Sequence, residues 1–78
     1  VSDFYARPAP LPVPPRLSPQ QAQILYLIAE GHCNKEIAAA CNTSLFTVHE
    51  QTKRLYWRLG AKNRTHAVTR AFRVGLLR

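Results

Sequence analysis

Four stretches of this sequence repeat apolar residues at helical spacing, and turn-forming residues stand between them. The first opens at Leu17. Ser18-Pro19-Gln20-Gln21 has the form of a helix start, with Ser18 as N-cap, Pro19 at the first helical position and Gln21 closing a capping box. Ile24, Leu25, Leu27 and Ile28 then recur every three or four residues and mark one buried face. Gly31 ends that helix by supplying a left-handed position without steric cost. Asn34 is the next N-cap candidate, leading Lys35-Glu36-Ile37-Ala38-Ala39-Ala40-Cys41, two alanine-rich turns able to approach a neighbour closely. Asn42-Thr43-Ser44 forms a tight turn, with Asn42 suited to the left-handed conformation.

Ser44 caps a third helix running to about Leu59, and Gly60 stops it. Val48, Thr52, Leu55 and Leu59 fall within a narrow arc of this helix and face the core. The opposite arc carries Phe46, His49, Glu50, Lys53, Arg54 and Trp57. Asn63 opens a fourth helix whose apolar side is Ala67, Val68, Ala71, Phe72 and Val74, with Gly75 near its end. No strand pattern competes within residues 17–78, so the expected fold is all-α with four helices.

Residues 1–16 follow a different grammar. They hold five of the six prolines and show no periodicity. Proline fixes φ and removes a donor, so an extended Pro-rich N-terminal tail or linker is expected here, partly polyproline II in character. The domain proper then spans residues 17–78.

A chain of 78 residues and 8.8 kDa holds one small domain, which leaves little room for a large catalytic cleft. No apolar run is long enough for a membrane span, and the N-terminus, with Asp3 and its prolines, lacks the form of a secretory signal. The net charge of +7 is unevenly placed. Residues 1–52 set Arg7, Arg16 and Lys35 against Asp3, Glu30, Glu36 and Glu50. Residues 53–78 hold Lys53, Arg54, Arg58, Lys62, Arg64, Arg70, Arg73 and Arg78 with no acid at all. A basic third of this kind suits phosphate, although a merely solubilising face would look similar. Cys33 and Cys41, with His32 and His49, match no paired zinc-ligand spacing. No metal and no cofactor is expected, Cys41 reads as a small core hydrophobe, and reduced thiols suit a cytoplasmic protein. No Ser/His/Asp set, carboxylate pair or phosphate-cradling glycine loop argues for an enzyme.

Two short helices joined by a tight turn, the second with a polar outer face, form a helix-turn-helix. A major groove admits one helix, which must project an uncommitted face beyond the domain body. The pattern alone also fits an ordinary bundle whose polar face meets only water. Leu17-Ser18, Leu25, Ile28-Ala29-Glu30-Gly31 and Asn34-Lys35-Glu36-Ile37-Ala38 go further, together with Thr47-Val48, Leu59-Gly60, Asn63-Arg64-Thr65 and Ala67-Val68. In this register the sequence closely resembles the LuxR-type helix-turn-helix domain of bacterial transcription regulators, over about residues 17–77. The resemblance implies binding to double-stranded DNA as a homodimer, with the third helix in the major groove and the fourth forming the dimer contact. In such regulators the domain usually follows a receiver or ligand-sensing domain, though stand-alone versions exist, so the resemblance leaves a sensor domain or another protein as a partner open.

Departures accompany the matches. Gln20-Gln21 stand where the family usually has Arg-Glu, His49 where it has lysine, and Gln51 where it has histidine. Matched to the family pattern, His49, Glu50 and Lys53 are the base-edge readers. Lys53 can donate to guanine O6 or N7, Glu50 can accept from cytosine N4, and Phe46 is placed to touch a thymine methyl. Alternatively Glu50 simply pairs with Arg54 one turn on. Lys35, Thr47, Arg54, Arg58 and Arg64 are the candidate phosphate contacts, while Lys62, Arg70 and Arg73 fit a solubilising role. Ala67, Ala71 and Val74 would let two fourth helices approach closely. For Trp57 the preferred expectation is burial beneath the proline tail. A rival reading keeps the fold but gives the outer face, with Phe46, His49, Glu50 and Trp57, to a protein partner such as a transcription factor or sensor domain.

Overall fold

A computed structural model of the chain describes residues 15–77. It contains four helices: α1 (Pro19–Ala29), α2 (Asn34–Ala40), α3 (Leu45–Leu59) and α4 (Arg64–Arg73). No strand occurs among the described residues. The expected extended tail falls almost wholly outside them.

Local chemistry sets most helix ends. The Ser18 hydroxyl accepts from the Gln21 N–H at 3.1 Å, and the Gln21 side chain accepts from the Ser18 N–H at 3.2 Å. Such a reciprocal cap satisfies two otherwise orphaned donors, and its N-cap side chain is worth about 1 kcal/mol. Ser44 caps α3 through the Thr47 N–H, and Asn63 caps α4 through the His66 N–H. The start of α2 differs from expectation. Cys33, not Asn34, is its N-cap, and the Glu36 carboxylate accepts from the Cys33 N–H at 2.9 Å. Asn34 is thereby released for a long-range bond described below. Asn42 takes φ 54° in the turn between α2 and α3, and Gly60 takes φ 67° after α3, both left-handed.

One core joins the four helices. Ile24, Leu25 and Ile28 of α1 pack with Ile37 and Ala38 of α2, Val48, Leu55 and Leu59 of α3, and Ala67 and Ala71 of α4. Leu17, Leu27, Cys41, Val68, Leu76 and Leu77 close its edges. Helix α3 touches each of the other three helices, so it runs through the centre of the domain while one side faces out. Phe72, expected on the apolar side of α4, is half exposed instead.

Candidate nucleic-acid interface on the third helix

The inner side of α3 anchors it along its length. Val48, Leu55 and Leu59 have no accessible surface, and Thr52 turns inward to donate its hydroxyl to the Val48 carbonyl at 2.6 Å. At the N-terminal end the Ser44 hydroxyl accepts from the Thr47 N–H and donates to the Thr47 hydroxyl at 2.9 Å. The Thr47 hydroxyl proton therefore remains a donor. In the middle, the buried Gln21 amide donates to the Gln51 side-chain oxygen at 3.2 Å and ties α1 to α3. These are two of the positions where the sequence departs from the LuxR-type pattern. An uncharged amide pair is formed across the helix contact, between residues 30 positions apart, a separation over which no local pattern operates.

Arg70 fixes the far end. Expected to be solubilising, it is buried at 6% exposure, and its Nε–H donates to the Leu59 carbonyl at 3.0 Å. A cation at a helix C-terminus satisfies an orphaned carbonyl and complements the helix dipole. No local periodicity could have signalled this, because the bond spans the α3–α4 turn.

The outer side presents the predicted residues together. Phe46, His49, Lys53, Arg54, Trp57 and Arg58 are all exposed, with Phe46 at 74% and Trp57 at 83%. Glu50 does not pair with Arg54. Its carboxylate lies 3.5 Å from the Lys53 ammonium, so the two charged base-reading candidates hold each other. A pair this exposed contributes little to stability. It lies between two shallow clefts and lines both. One, of about 370 Å³, is formed with Leu45, Phe46 and His49; the other, of about 380 Å³, with Gln21, Arg54, Trp57 and Arg58. Leu45, half exposed beside Phe46, was missed in the sequence because it directly follows the cap residue, where a helical face is not yet defined.

Lys35 is exposed at the start of α2 and Thr47 half buried at the start of α3. Arg58 remains exposed and donates to the Arg16 carbonyl at 2.7 Å, drawing the end of the proline segment toward the C-terminal part of α3. Arg64 is different. One guanidinium nitrogen donates to the Asn34 side-chain oxygen at 3.1 Å and the other to the His32 carbonyl. Those bonds make it a strut between α4 and the α1–α2 turn, which removes two of its terminal donors from an outside phosphate.

Ala67 and Ala71 require a correction. Both have no accessible surface, so neither can touch a second copy. Their small side chains let α4 lie close against its own core. Val74, at the end of α4, stays half exposed. Trp57 is exposed, and the tail residues expected to cover it lie mostly outside the described ones.

Two titrating groups are displaced. Glu36 has its pKa lowered below the ordinary 4.5, first by the Cys33 backbone N–H, with the Cys33 side chain and His32 assisting. His66 is lowered from 6.5, chiefly by burial and then by the charges of Arg70, Lys62 and Arg73. Its Nδ1 accepts from the Lys62 N–H at 3.0 Å, which requires a neutral ring. Cys33 and Cys41 are free thiols, and among the described residues no three His, Cys, Asp or Glu side chains gather as a metal set. No helix among those residues is long and apolar enough to cross a membrane.

Comparison with known proteins agrees with this architecture. The sequence profile of the luxR family of bacterial regulatory proteins matches residues 15–71. Response regulator Rre1 of Synechocystis sp. (strain ATCC 27184 / PCC 6803 / Kazusa) is 36% identical over 75 residues, covering 96% of this chain and 32% of that protein. YhjB of Escherichia coli (strain K12) is 49% identical over 51 residues, covering 65% of this chain and 26% of that protein. The crystal structure of response regulator ChrA, of a heme-sensing two-component system, superimposes with a TM-score of 0.77 at 29% identity, over 97% of this chain and 35% of that one. This chain thus spans about a third or less of the relatives it matches. With four helices, a free outer face on the third and a profile match over most of its length, the chain belongs to the luxR family of bacterial regulatory proteins and is a helix-turn-helix domain of DNA-binding transcription regulation.

Proposed function

We propose that this domain regulates transcription by inserting α3 into the major groove of double-stranded DNA and discriminating among sequences there. The observation that carries this reading is the outer face of α3. Its residues are exposed while Gln21, Gln51, Ser44 and Arg70 hold the helix rigidly from behind. His49, Glu50 and Lys53 read base edges, with Phe46 against a thymine methyl. Lys35, Thr47, Arg54 and Arg58 contact phosphates, which position the helix without carrying sequence information. Arg64 supports this set from within, with two of its terminal N–H donors committed and only the others left for a phosphate.

The active form is a homodimer whose two α3 helices meet half-sites about one helical turn apart, on the order of 10 bp. With Ala67 and Ala71 inside the core, the contact between copies passes to the outer part of α4, where Phe72 is half exposed and Val68 and Val74 half buried. A cytoplasmic location and an attached sensor or receiver domain fit the response-regulator relatives.

Exposed Leu45 and Phe46 favour one second reading, in which this face engages a protein. Fluorescence anisotropy of a labelled duplex at two salt concentrations separates the two. DNA binding predicts affinity that falls steeply with salt as counterions are released. Selection from a random duplex pool then returns an enriched motif. Undetectable or salt-insensitive binding, with no enrichment, removes the proposal.

A further inference from the structure

Trp57 has no role in the interface just described, yet it is the most exposed large apolar side chain of the domain, at 83%. It stands four residues beyond Lys53, hence about 6 Å further along α3 and about 40° around it. Lys53 and Trp57 accordingly share one face and line the same cleft, with Gln21, Glu50, Arg54 and Arg58. Within that cleft Glu50 is matched by Lys53 at 3.5 Å, which leaves the charges of Arg54 and Arg58 beside the indole uncompensated by any acid. The cleft is open, holds about 380 Å³ and joins a flat aromatic surface to two cations.

On these grounds, and resting on the DNA-binding reading above, we infer that Trp57, Arg54 and Arg58 form a subsite for one sugar-phosphate unit of a DNA strand. A groove about 12 Å wide accommodates a helix about 10–12 Å across with its side chains, so residues flanking the base-reading stripe meet the groove walls. The walls are deoxyribose and phosphate. The indole lies against the apolar side of the sugar, its area withdrawn from water, while the Arg54 guanidinium and the Arg58 N–H groups not given to the Arg16 carbonyl take the phosphate oxygens. Charge selects this occupant over a neutral protein surface, because a neutral partner would bury two arginines without a counter-charge. The contact is indifferent to base identity.

Trp57 is the only tryptophan in the chain, so indole emission, excited beyond the absorption of the tyrosines, reports on this subsite alone. The 78-residue chain is titrated with duplexes of selected and random sequence, following indole emission and the anisotropy of a label on the DNA. The inference expects both signals to change with the same midpoint on every duplex. It expects Trp57→Ala to weaken binding about tenfold on selected and random duplexes alike, with Trp57→Phe retaining most of the affinity. Because the side chain is exposed, neither variant disturbs the core. Emission that stays constant while anisotropy reports binding overturns the subsite and leaves the DNA-binding reading standing. A Trp57→Ala loss confined to the selected duplex makes Trp57 a base reader and overturns it as well. No anisotropy change on any duplex removes the parent reading, and a subsequent emission change with a protein partner gives the cleft to that partner instead.

Discussion

Position along a helix says little about what an arginine does until its neighbours are known. Arg54, Arg58, Arg64 and Arg70 belong to one basic run, yet Arg70 is buried on the Leu59 carbonyl and Arg64 braces the α1–α2 turn, while Arg54 and Arg58 stay in solvent. Arg70→Met keeps an apolar stem but strands the carbonyl, and should cost about 1.5–3 kcal/mol in urea unfolding. The equivalent change at Arg54 should be nearly neutral for stability and appear only in DNA affinity. The Glu50–Lys53 pair makes a second prediction at this scale. Lys53→Ala removes a base-edge donor and should lower affinity for the selected duplex by about 1–3 kcal/mol. Glu50→Gln removes a charge that repels phosphate, so random-duplex binding should strengthen and the ratio of selected to random affinity should narrow. Anisotropy titrations of both variants on both duplexes check the pair; a rise in the ratio for Glu50→Gln would contradict its role in discrimination.

Each helix end is a separate small construction. Gly60 closes α3 at φ 67°, and an added Cβ would meet the Arg70 guanidinium at 3.5 Å, an ordinary contact. Gly60→Ala should therefore cost only the left-handed backbone penalty, about 1–2 kcal/mol in thermal or urea unfolding, with Gly60→Asn costing less. The start of α4 titrates. Asn63 accepts from the His66 N–H while the His66 ring accepts from the Lys62 N–H just before the cap, a bond that survives only with a neutral ring. Burial and three nearby cations lower the His66 pKa in the folded chain, so protons bind the unfolded chain more readily. This contribution to stability is intact above about 6.5, the unfolded value, and is lost as pH falls through the folded pKa. Melting curves across that window should fall with acidity, and His66→Ala should flatten the fall while lowering stability at neutral pH. The lowered Glu36 pKa acts in the same direction further into acid: its cap is present above 4.5 and lost below that.

For the whole molecule, two surfaces stand without a partner among the described residues, the outer side of α3 and the outer part of α4. Phe72→Glu should leave the fold intact, because Phe72 is half exposed, yet abolish cooperative binding to a duplex with two half-sites. Sedimentation and gel-shift on one-site and two-site duplexes check this; unchanged cooperativity would move the dimer contact elsewhere. Helix number, helix limits and the inward stripe of α3 were legible along the chain. They depend on caps and repeats reaching three or four residues, such as Ser18 with Gln21 and Ser44 with Thr47. Even the misplaced cap of α2 lay only one residue away. Which polar groups remain free was not legible. Gln21 meets Gln51, Arg64 meets Asn34 and His32, and Arg70 meets Leu59 across separations of 11 to 32 residues. Ala67 and Ala71 illustrate the same limit: helical spacing shows that they share a side, but only the packed neighbours show which way that side faces. Local hydrogen bonding and periodicity act within a turn of chain and so can be determined from sequence by itself. Burial and long-range pairing depend on how α1, α2 and α4 close around α3, and only the tertiary structure decides them.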